Sequence, residues 1–393
     1  MNNISKHRCH LCHSSKVNHI GEYKDLHRVT SDCKPWKNSG SLLVCNQCHA
    51  VQKCVDERFL SEIDAIYSDY SAYYQSRGND QVVFSGENHS VRTRSFTILD
   101  AVKKNIPMAL KGRFLDIGCA DGHMLETFST IFPGWDLFGF DLDEKKKSGI
   151  ESIKNVKEYY SKEISNIKGA YDLISMIHVL EHIPDPESYM VAVRKLLHPE
   201  GRLIIELPNI MENPFDLLIA DHCTHFTENR IARLLDKTGF KVIQSDSQVV
   251  SKELTIVAIS FDKAVIKDES VLDENILMYI NQCMIWLHNI RDRIEKIGKN
   301  GEVGVFGAGI ASAWLISEFK GLITFCVDED MNKTDRTYCG IPVLHPEKLH
   351  EKDVFVPMPF QISEKIVNRL SGYNGCRYFA TRPLETSIEF QNE

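Results

Sequence analysis

Arg113 to His123 reads RFLDIGCADGH. A short apolar run, Phe114 and Leu115, reaches an acid, Asp116. Gly118, Cys119, Ala120, Asp121 and Gly122 then lead into the apolar-periodic Met124, Leu125 and Phe128. That order predicts a strand, a tight turn and a helix. Glycine has no Cβ, so backbone in such a turn can approach a ligand closely. A pyrophosphate-binding turn carries G-x-G-x-x-G, whereas the spacing here is G-x-x-x-G, and Asp116 would repel a phosphate while suiting an ammonium. A second acid, Asp141, ends the next apolar run in FGFDLDE, about 25 residues on, where a carboxylate can accept both hydroxyls of a ribose. Ammonium plus ribose without pyrophosphate predicts S-adenosylmethionine (SAM). The expected binding residues are Asp116, Gly118, Ala120, Gly122, Asp141 and Leu142, with His178 at a later strand end.

Metal chemistry is expected near residue 1. Cys9-His10-Leu11-Cys12 and Cys45-Asn46-Gln47-Cys48 are two C-x-x-C knuckles, about 30 residues apart. Together they can supply four thiolates to a tetrahedral Zn²⁺. With every position filled by protein, no place is left for water, so the zinc should be structural. His7, His10, His13, Cys33 and Cys54 lie close enough in sequence to substitute for one thiolate.

Composition frames these sites. The chain has 393 residues, a formal charge of -8, 43% hydrophobic residues and 12 cysteines. That length predicts two or three domains with real cores. The charge and the lack of basic runs argue against nucleic acid or an anionic membrane as partner. No apolar run approaches the ~18 residues of a membrane span. The start, MNNISKHRCH, has no apolar signal core. A cytoplasmic protein with thiols and metal ligands rather than disulfides is expected.

The positioning elements follow in order. Residues 1–57 look like a separate zinc-binding domain. Residues 58–110 form a helical connecting segment in which Tyr67, Tyr70, Tyr73 and Tyr74 share a helix face, and VRTRSFTILDAVKKNI reads as an amphipathic helix. Residues 111–262 alternate strand and helix: a buried strand from Tyr171 to Ile177 ends in HVLEHIPDP, a helix covers 187–197, and a strand follows in RLIIEL. The fold class is α/β, with a doubly wound parallel sheet whose ligands sit beyond the strand carboxyl ends. Residues 263–300 form a linking helix on Ile276, Ile280, Met284, Leu287, Ile290, Ile294 and Ile297, spaced three or four apart. Residues 301–393 start a second α/β unit. Gly307-Ala308-Gly309 with Ser312, and Asp328 about 20 residues on, nearly match an NAD turn. With serine in the third glycine place, a phosphate cradle or a purely structural Rossmann-like domain is the stronger expectation.

Over nearly its whole length the chain resembles the SAM-dependent nucleotide-sugar C-methyltransferases. The matching pieces are both knuckles, LDIGCADG, VLEHIPDP, VFGAGIAS with FCVDED, and FDLLIADHCTHFT from Phe215 to Thr227. The resemblance implies an N-terminal four-cysteine zinc domain, a class I methyltransferase domain and a C-terminal Rossmann-like domain. It also implies methylation of a keto- or deoxysugar at carbon. The family stretch resembles FDTIYHEHFSYFS; by position His222 matches its basic histidine and Asp221 its glutamate. Ile219 and His225 stand where the family has tyrosines. The form D-H-x-x-H-F-T is also similar to methyltransferases of surface polysaccharide precursors.

These matches give three expectations about chemistry. His222 is the general base, oriented by Asp221 or a carbonyl, unless it merely caps the helix that begins in TENRIARLL. His225 donates a hydrogen bond to the acceptor. His178 and His182 shape the pocket at the cofactor edge. The alternatives are transfer to a sugar hydroxyl or amine, and a non-catalytic zinc and Rossmann module for assembly.

Overall fold

The computed structural model describes residues 8–36, 40–71, 78–85, 90–105, 109–261, 275–299 and 301–384. His7, Tyr73 and Tyr74 lie outside them.

The N-terminal unit is a small sheet of β1 (Val17–His19), β4 (Leu42–Cys45) and β5 (Val51–Lys53), with the two-stranded ribbon β2 (Arg28–Val29) and β3 (Pro35–Trp36) beside it. This unit is not separate in space. Its fourth strand, β13 (Thr224–His225), comes from the middle of the chain and pairs with β5 at Thr224–Gln52 and His225–Val51.

Helix α1 (Glu57–Tyr67) begins at Asp56, whose carboxylate caps the Phe59 N–H. It ends at Tyr67, so Tyr70 sits in the turn beyond the helix, with its ring edge-on to that of Tyr67 at 5.5 Å. A hairpin, β6 (Val82–Ser85) and β7 (Ser90–Thr93), precedes α2 (Arg94–Asn105). The segment read as a helix from Val91 therefore starts as a strand, because its first residues pair with β6.

The central sheet has seven strands in the order β10 (Val156–Ser161), β9 (Asp136–Asp141), β8 (Arg113–Ile117), β11 (Tyr171–Ile177), β12 (Leu197–Pro208), β15 (Glu253–Ser260), β14 (Phe240–Asp246). The first five are parallel; β15 runs antiparallel to them and β14, antiparallel to β15, again shares their direction. The all-parallel expectation is corrected there: α6 (Glu228–Lys237) leads into β14, which returns to β15 through a short hairpin-like connection. Helices α3 (His123–Ile131), α4 (Lys147–Glu151) and α5 (Pro186–Leu196) complete the layers. The order reverses between β8 and β11, which is where such sheets hold ligands.

Helix α7 (Ile276–Gly298) buries Ile276, Ile280, Met284, Leu287, Ile290, Ile294 and Ile297. It shares one core with Tyr23 and Leu26 of the N-terminal unit, Phe215 to Ile219, and Val303, Trp314 and Tyr338 of the last unit. That unit is a sheet ordered β18 (Arg336–Tyr338), β19 (Ile341–Leu344), β17 (Ile323–Val327), β16 (Val303–Phe306), β20 (Asp353–Val356), β21 (Arg377–Ala380), with α8 (Ile310–Glu318) and α9 (Phe360–Leu370). Among the described residues no helix is long and apolar enough to cross a membrane.

Candidate active site

The turn after β8 is built on positive backbone angles, with φ 74 at Gly118, 46 at Ala120 and 86 at Gly122. A Cβ on Gly118 would meet Val179 Cγ2 at 2.4 Å, so glycine lets β8 and the end of β11 close together. Gly122 caps the start of α3. The Gly118 N–H donates to the Phe140 carbonyl (2.7 Å), which ties the turn to β9. Asp141 ends β9 with Oδ2 accepting from the Ala120 N–H (2.9 Å) and Oδ1 from the Asp143 N–H (3.2 Å). Each carboxylate oxygen has further lone pairs, so both can still accept from a ligand. Leu142 beside it is 63% exposed. Asp116 is buried, and the Ser175 hydroxyl of β11 donates to its Oδ1 (2.6 Å). Burial pushes its pKa up to about 7, with the Ser175 bond opposing. The residues fit SAM: backbone that a ligand can approach, an acid with spare acceptor capacity, and a buried acid that a ligand cation would ionise.

His178 follows β11 at φ 54. Its Nδ1 pairs with Glu181 (3.0 Å) and its Nε2 side faces Arg94, Glu206 and Glu253. It thus belongs to a buried ionic group at the ends of β11, β12 and β15 as well as to the turn. Burial raises the pKa of Glu206 to about 7.

Three residues beyond Gly118's neighbour Val179 stands His182, whose ring lies 4.6 Å from that of His222 and perpendicular to it. The loop from Asp216 to Thr227 carries the remaining groups. Asp216 bridges both of its histidines: Oδ1 lies 2.8 Å from His222 Nδ1, and Oδ2 lies 2.5 Å from His225 Nδ1. All three are buried. Burial opposes ionisation of Asp216, yet the two histidines hold its carboxyl well below the usual range. The expected partner of His222 is corrected here. Asp221 instead accepts from the Ser31 N–H (2.8 Å) and hydroxyl (2.6 Å) and pairs with His182 Nδ1 (3.4 Å). Against burial, that pairing lowers Asp221 to about 2 and raises His182 to about 9. The Tyr67 hydroxyl also reaches His182 Nδ1 (3.1 Å), and Tyr70 approaches the Ser31 hydroxyl.

His222 does not cap α6; Thr227 does, accepting from the Arg230 N–H (3.2 Å). With Nδ1 taken by Asp216, Nε2 is the nitrogen left to act as a base. His225 differs. Its Nε2 faces Lys53 Nζ (3.0 Å), so both ring nitrogens are engaged inside the protein. It is 1% exposed and cannot present a hydrogen bond to an acceptor. Asp216 and Lys53 are the groups that sequence reasoning passed over. Asp216 stood in the quoted stretch FDLL with no feature to separate it from a surface acid; nothing local marked Lys53.

The four knuckle cysteines come together. Cys9 and Cys48 sulfurs are 3.5 Å apart, Cys12 and Cys45 3.6 Å, and all four lie within 4.8 Å of one another. Tetrahedral bonds of ~2.3 Å separate sulfurs by about 3.8 Å, so the set fits a zinc ion. The two knuckles are the same turn: His13 (φ 60) and His49 (φ 59) donate their N–H to the Cys9 and Cys45 carbonyls (2.8 and 2.9 Å). Of the other nearby candidates, His10 turns away, with Nε2 at 2.6 Å from Thr224 Oγ1 in β13, and Cys33 lies against Tyr338 and Cys339. Cys54 approaches Asp56 and His13 is at the surface near Glu187.

Residues 91–245 match the family described as Methyltransferase domain. A ubiquinone biosynthesis O-methyltransferase of Bordetella avium (strain 197N) is 34% identical over 122 residues, covering 28% of this chain and 48% of its own length. One of Aromatoleum aromaticum is 30% identical over 119 residues, covering 28% and 50%. The chain thus spans about half the length of these curated relatives. A crystal structure of a SAM-dependent methyltransferase from Clostridium acetobutylicum ATCC 824 aligns with a TM-score of 0.36 at 15% identity, covering 52% of this chain and 98% of that one. With the family match and the strand order described above, residues 91–245 are a class I methyltransferase domain.

Proposed function

We propose that the chain transfers the methyl group of SAM to carbon of a nucleotide-linked keto- or deoxysugar. The observation that carries this reading is the Asp216–His222 pair, buried at the end of the sheet where β8 and β11 diverge. SAM, when bound, supplies an electrophilic methyl group on a good leaving group. Asp141 takes the ribose hydroxyls and Asp116 faces the ammonium. A cation there lowers the Asp116 pKa, so binding is linked to its ionisation. His222 Nε2 removes the proton beside the sugar carbonyl, and Asp216 stabilises the imidazolium that forms. His182, held cationic by Asp221, stands beside His222. It also places positive charge near the oxygen on which negative charge develops.

A second reading is transfer to a sugar hydroxyl or amine. Ile219 supports it, because it removes a hydroxyl that the carbon-methylating family resemblance calls for, and the curated relatives are named for O-methylation. NMR of the product from SAM and candidate nucleotide-linked sugars separates the two. A methyl carbon bonded to quaternary carbon supports transfer to carbon; an O-methyl or N-methyl shift rejects it. If calorimetry finds no SAM binding, both readings fall and an assembly module is left. We further propose that Cys9, Cys12, Cys45 and Cys48 hold one structural Zn²⁺, which metal analysis of the purified protein tests directly.

A further inference from the structure

A hydroxyl from the first helix reaches the histidines of the loop. We propose that Tyr67 is a further catalytic residue, whose O–H donates a hydrogen bond to the sugar carbonyl oxygen as negative charge develops on it. This rests on the reading of the chain as a C-methyltransferase with His222 as base.

Tyr67 is the last residue of α1, and its side chain packs against Phe59, Ile63 and Cys223. Its hydroxyl lies 3.1 Å from His182 Nδ1. The direction of that contact follows from its neighbours. Nδ1 also lies 3.2 Å from the Asp221 carbonyl and 3.4 Å from Asp221 Oδ2. A carbonyl and a carboxylate can only accept, so Nδ1 carries a hydrogen. The Tyr67 oxygen therefore meets Nδ1 as an acceptor. Its own hydrogen finds no acceptor among the described residues. Burial, with Asp221 adding to it, raises the Tyr67 pKa well above that of a free phenol. The hydroxyl thus keeps its hydrogen at neutral pH and has it to give.

The reaction asks for such a donor. His222 Nε2 takes the proton from the carbon beside the carbonyl. The C–H pair becomes a C=C bond, and the carbonyl π pair moves to oxygen. A hydrogen-bond donor aimed at that oxygen stabilises the charge. The C=C pair then forms the bond to the methyl carbon, and the oxygen pair re-forms the carbonyl. The methyl–sulfur bond breaks with its pair left on sulfur, giving S-adenosylhomocysteine, and the proton on His222 is later lost to water. Ile219 brings no hydroxyl from within the loop, whereas Tyr67 brings one from α1. His182 meets both groups, Tyr67 at Nδ1 and the His222 ring at 4.6 Å between centroids. Base and donor are thus separated by one imidazole ring, a span that a bound sugar can bridge.

The test is Tyr67→Phe, which keeps the ring and removes the hydroxyl. The probe is thymidine diphosphate-linked 4-keto-6-deoxyglucose, with S-adenosylhomocysteine in place of SAM so that no methyl is transferred. NMR in heavy water reads exchange of the proton beside the carbonyl. We expect exchange by the natural protein, none by His222→Asn, and a rate about 10²-fold lower in Tyr67→Phe, the scale of one oxyanion donor. SAM affinity and melting temperature should stay unchanged. With SAM, kcat and kcat/KM should fall together, as for a contact made only in the transition state. Exchange at the natural rate in folded Tyr67→Phe, with none by His222→Asn, overturns the role of Tyr67 and leaves that of His222. No exchange by the natural protein overturns the reading of His222 as a carbon base, and this proposal with it. If Tyr67→Phe does not fold, a ring-fluorinated tyrosine at residue 67 decides. Its more acidic hydroxyl should change the exchange rate, and an unchanged rate overturns the proposal.

Discussion

The turn after β8 and the turn after β16 share one construction. In each, the glycine N–H donates to the last part of the next strand, Gly118 to Phe140 and Gly307 to Val327, both at 2.7 Å. In each, the acid closing that strand clamps an alanine amide, Asp141 to Ala120 at 2.9 Å and Asp328 to Ala308 at 2.8 Å. Each acid also caps the amide two residues on, at Asp143 and Asp330. They part in what is left over. Lys333 lies 3.7 Å from Asp328 and also reaches the Ala308 carbonyl, and Asp328 is 7% exposed. Among the described residues Asp141 is paired with no such cation, and it is more open. An acid, Asp116, stands two residues before the glycine of the first turn, where the second has Val305. A glycine turn with a clamping acid is thus shared by both units; they differ in the acceptor capacity left on the acid.

That contrast can be broken at several points. The cysteine-bearing unit packs on both α/β units. Cys45→Ser should release the zinc and lower stability more than any other single change, since apparent zinc affinities of ~10–16 kcal/mol contribute directly to the folding of small zinc domains. Metal analysis and thermal unfolding check it; a serine variant that loses zinc and melts unchanged rejects a structural role. Next in size is the loop from Asp216 to Thr227. His222→Asn should cost about 10²–10⁴-fold in turnover with SAM still bound. Near-full turnover at neutral pH would place the base elsewhere.

Asp141→Ala and Asp328→Ala sharpen the contrast itself. The first removes charge-assisted contacts to the ribose, each worth roughly 1.5–3 kcal/mol, so SAM affinity should fall tenfold or more. The second should leave SAM affinity within about twofold by calorimetry, because its acid is already occupied. Equal losses would mean that the two turns serve one ligand.

The smallest effect is in the pH dependence of stability. His182, raised to about 9, contributes stability that is fully present below its unfolded pKa near 6.5 and lost as pH rises through 9. Asp221, lowered to about 2, contributes above about pH 4 and loses its share as pH falls through 2. Both describe one pair, worth at most about 2–3 kcal/mol. Thermal unfolding should therefore show a plateau from about pH 4 to 6.5 and a decline toward 9. Asp221→Asn should flatten the alkaline decline; a decline that persists unchanged assigns it to other groups.

How much of this could be read from the chain follows from range. The glycine turns, Asp141, the knuckles and α7 are local patterns of spacing, and the α/β class follows from alternating elements. The loop from Asp216 to Thr227 was legible as a motif but its pairing was not. Asp221 precedes His222, yet in the loop they point to different partners, and Asp216 reaches both histidines six and nine residues away. Lys53 meets His225 across 172 residues, a separation for which no local signal exists. The separateness expected of residues 1–57 failed for the same reason, since a two-residue strand far along the chain carries no periodicity.

That strand has a bearing on how the protein is made. The N-terminal sheet cannot close its edge until Thr224 and His225 have left the ribosome. The cysteine unit, although synthesised early, stays with an open edge strand, β5, while strands β8 to β12 are translated. Open edges invite pairing with other chains, so early metal capture by the four thiols is worth most in that interval. Closing a loop of this length costs only slowly more entropy as it grows, so delay rather than stability is the penalty. The last piece of the N-terminal sheet is also the piece that carries the bridged histidine, which makes completion of the active site and completion of that sheet a single folding event.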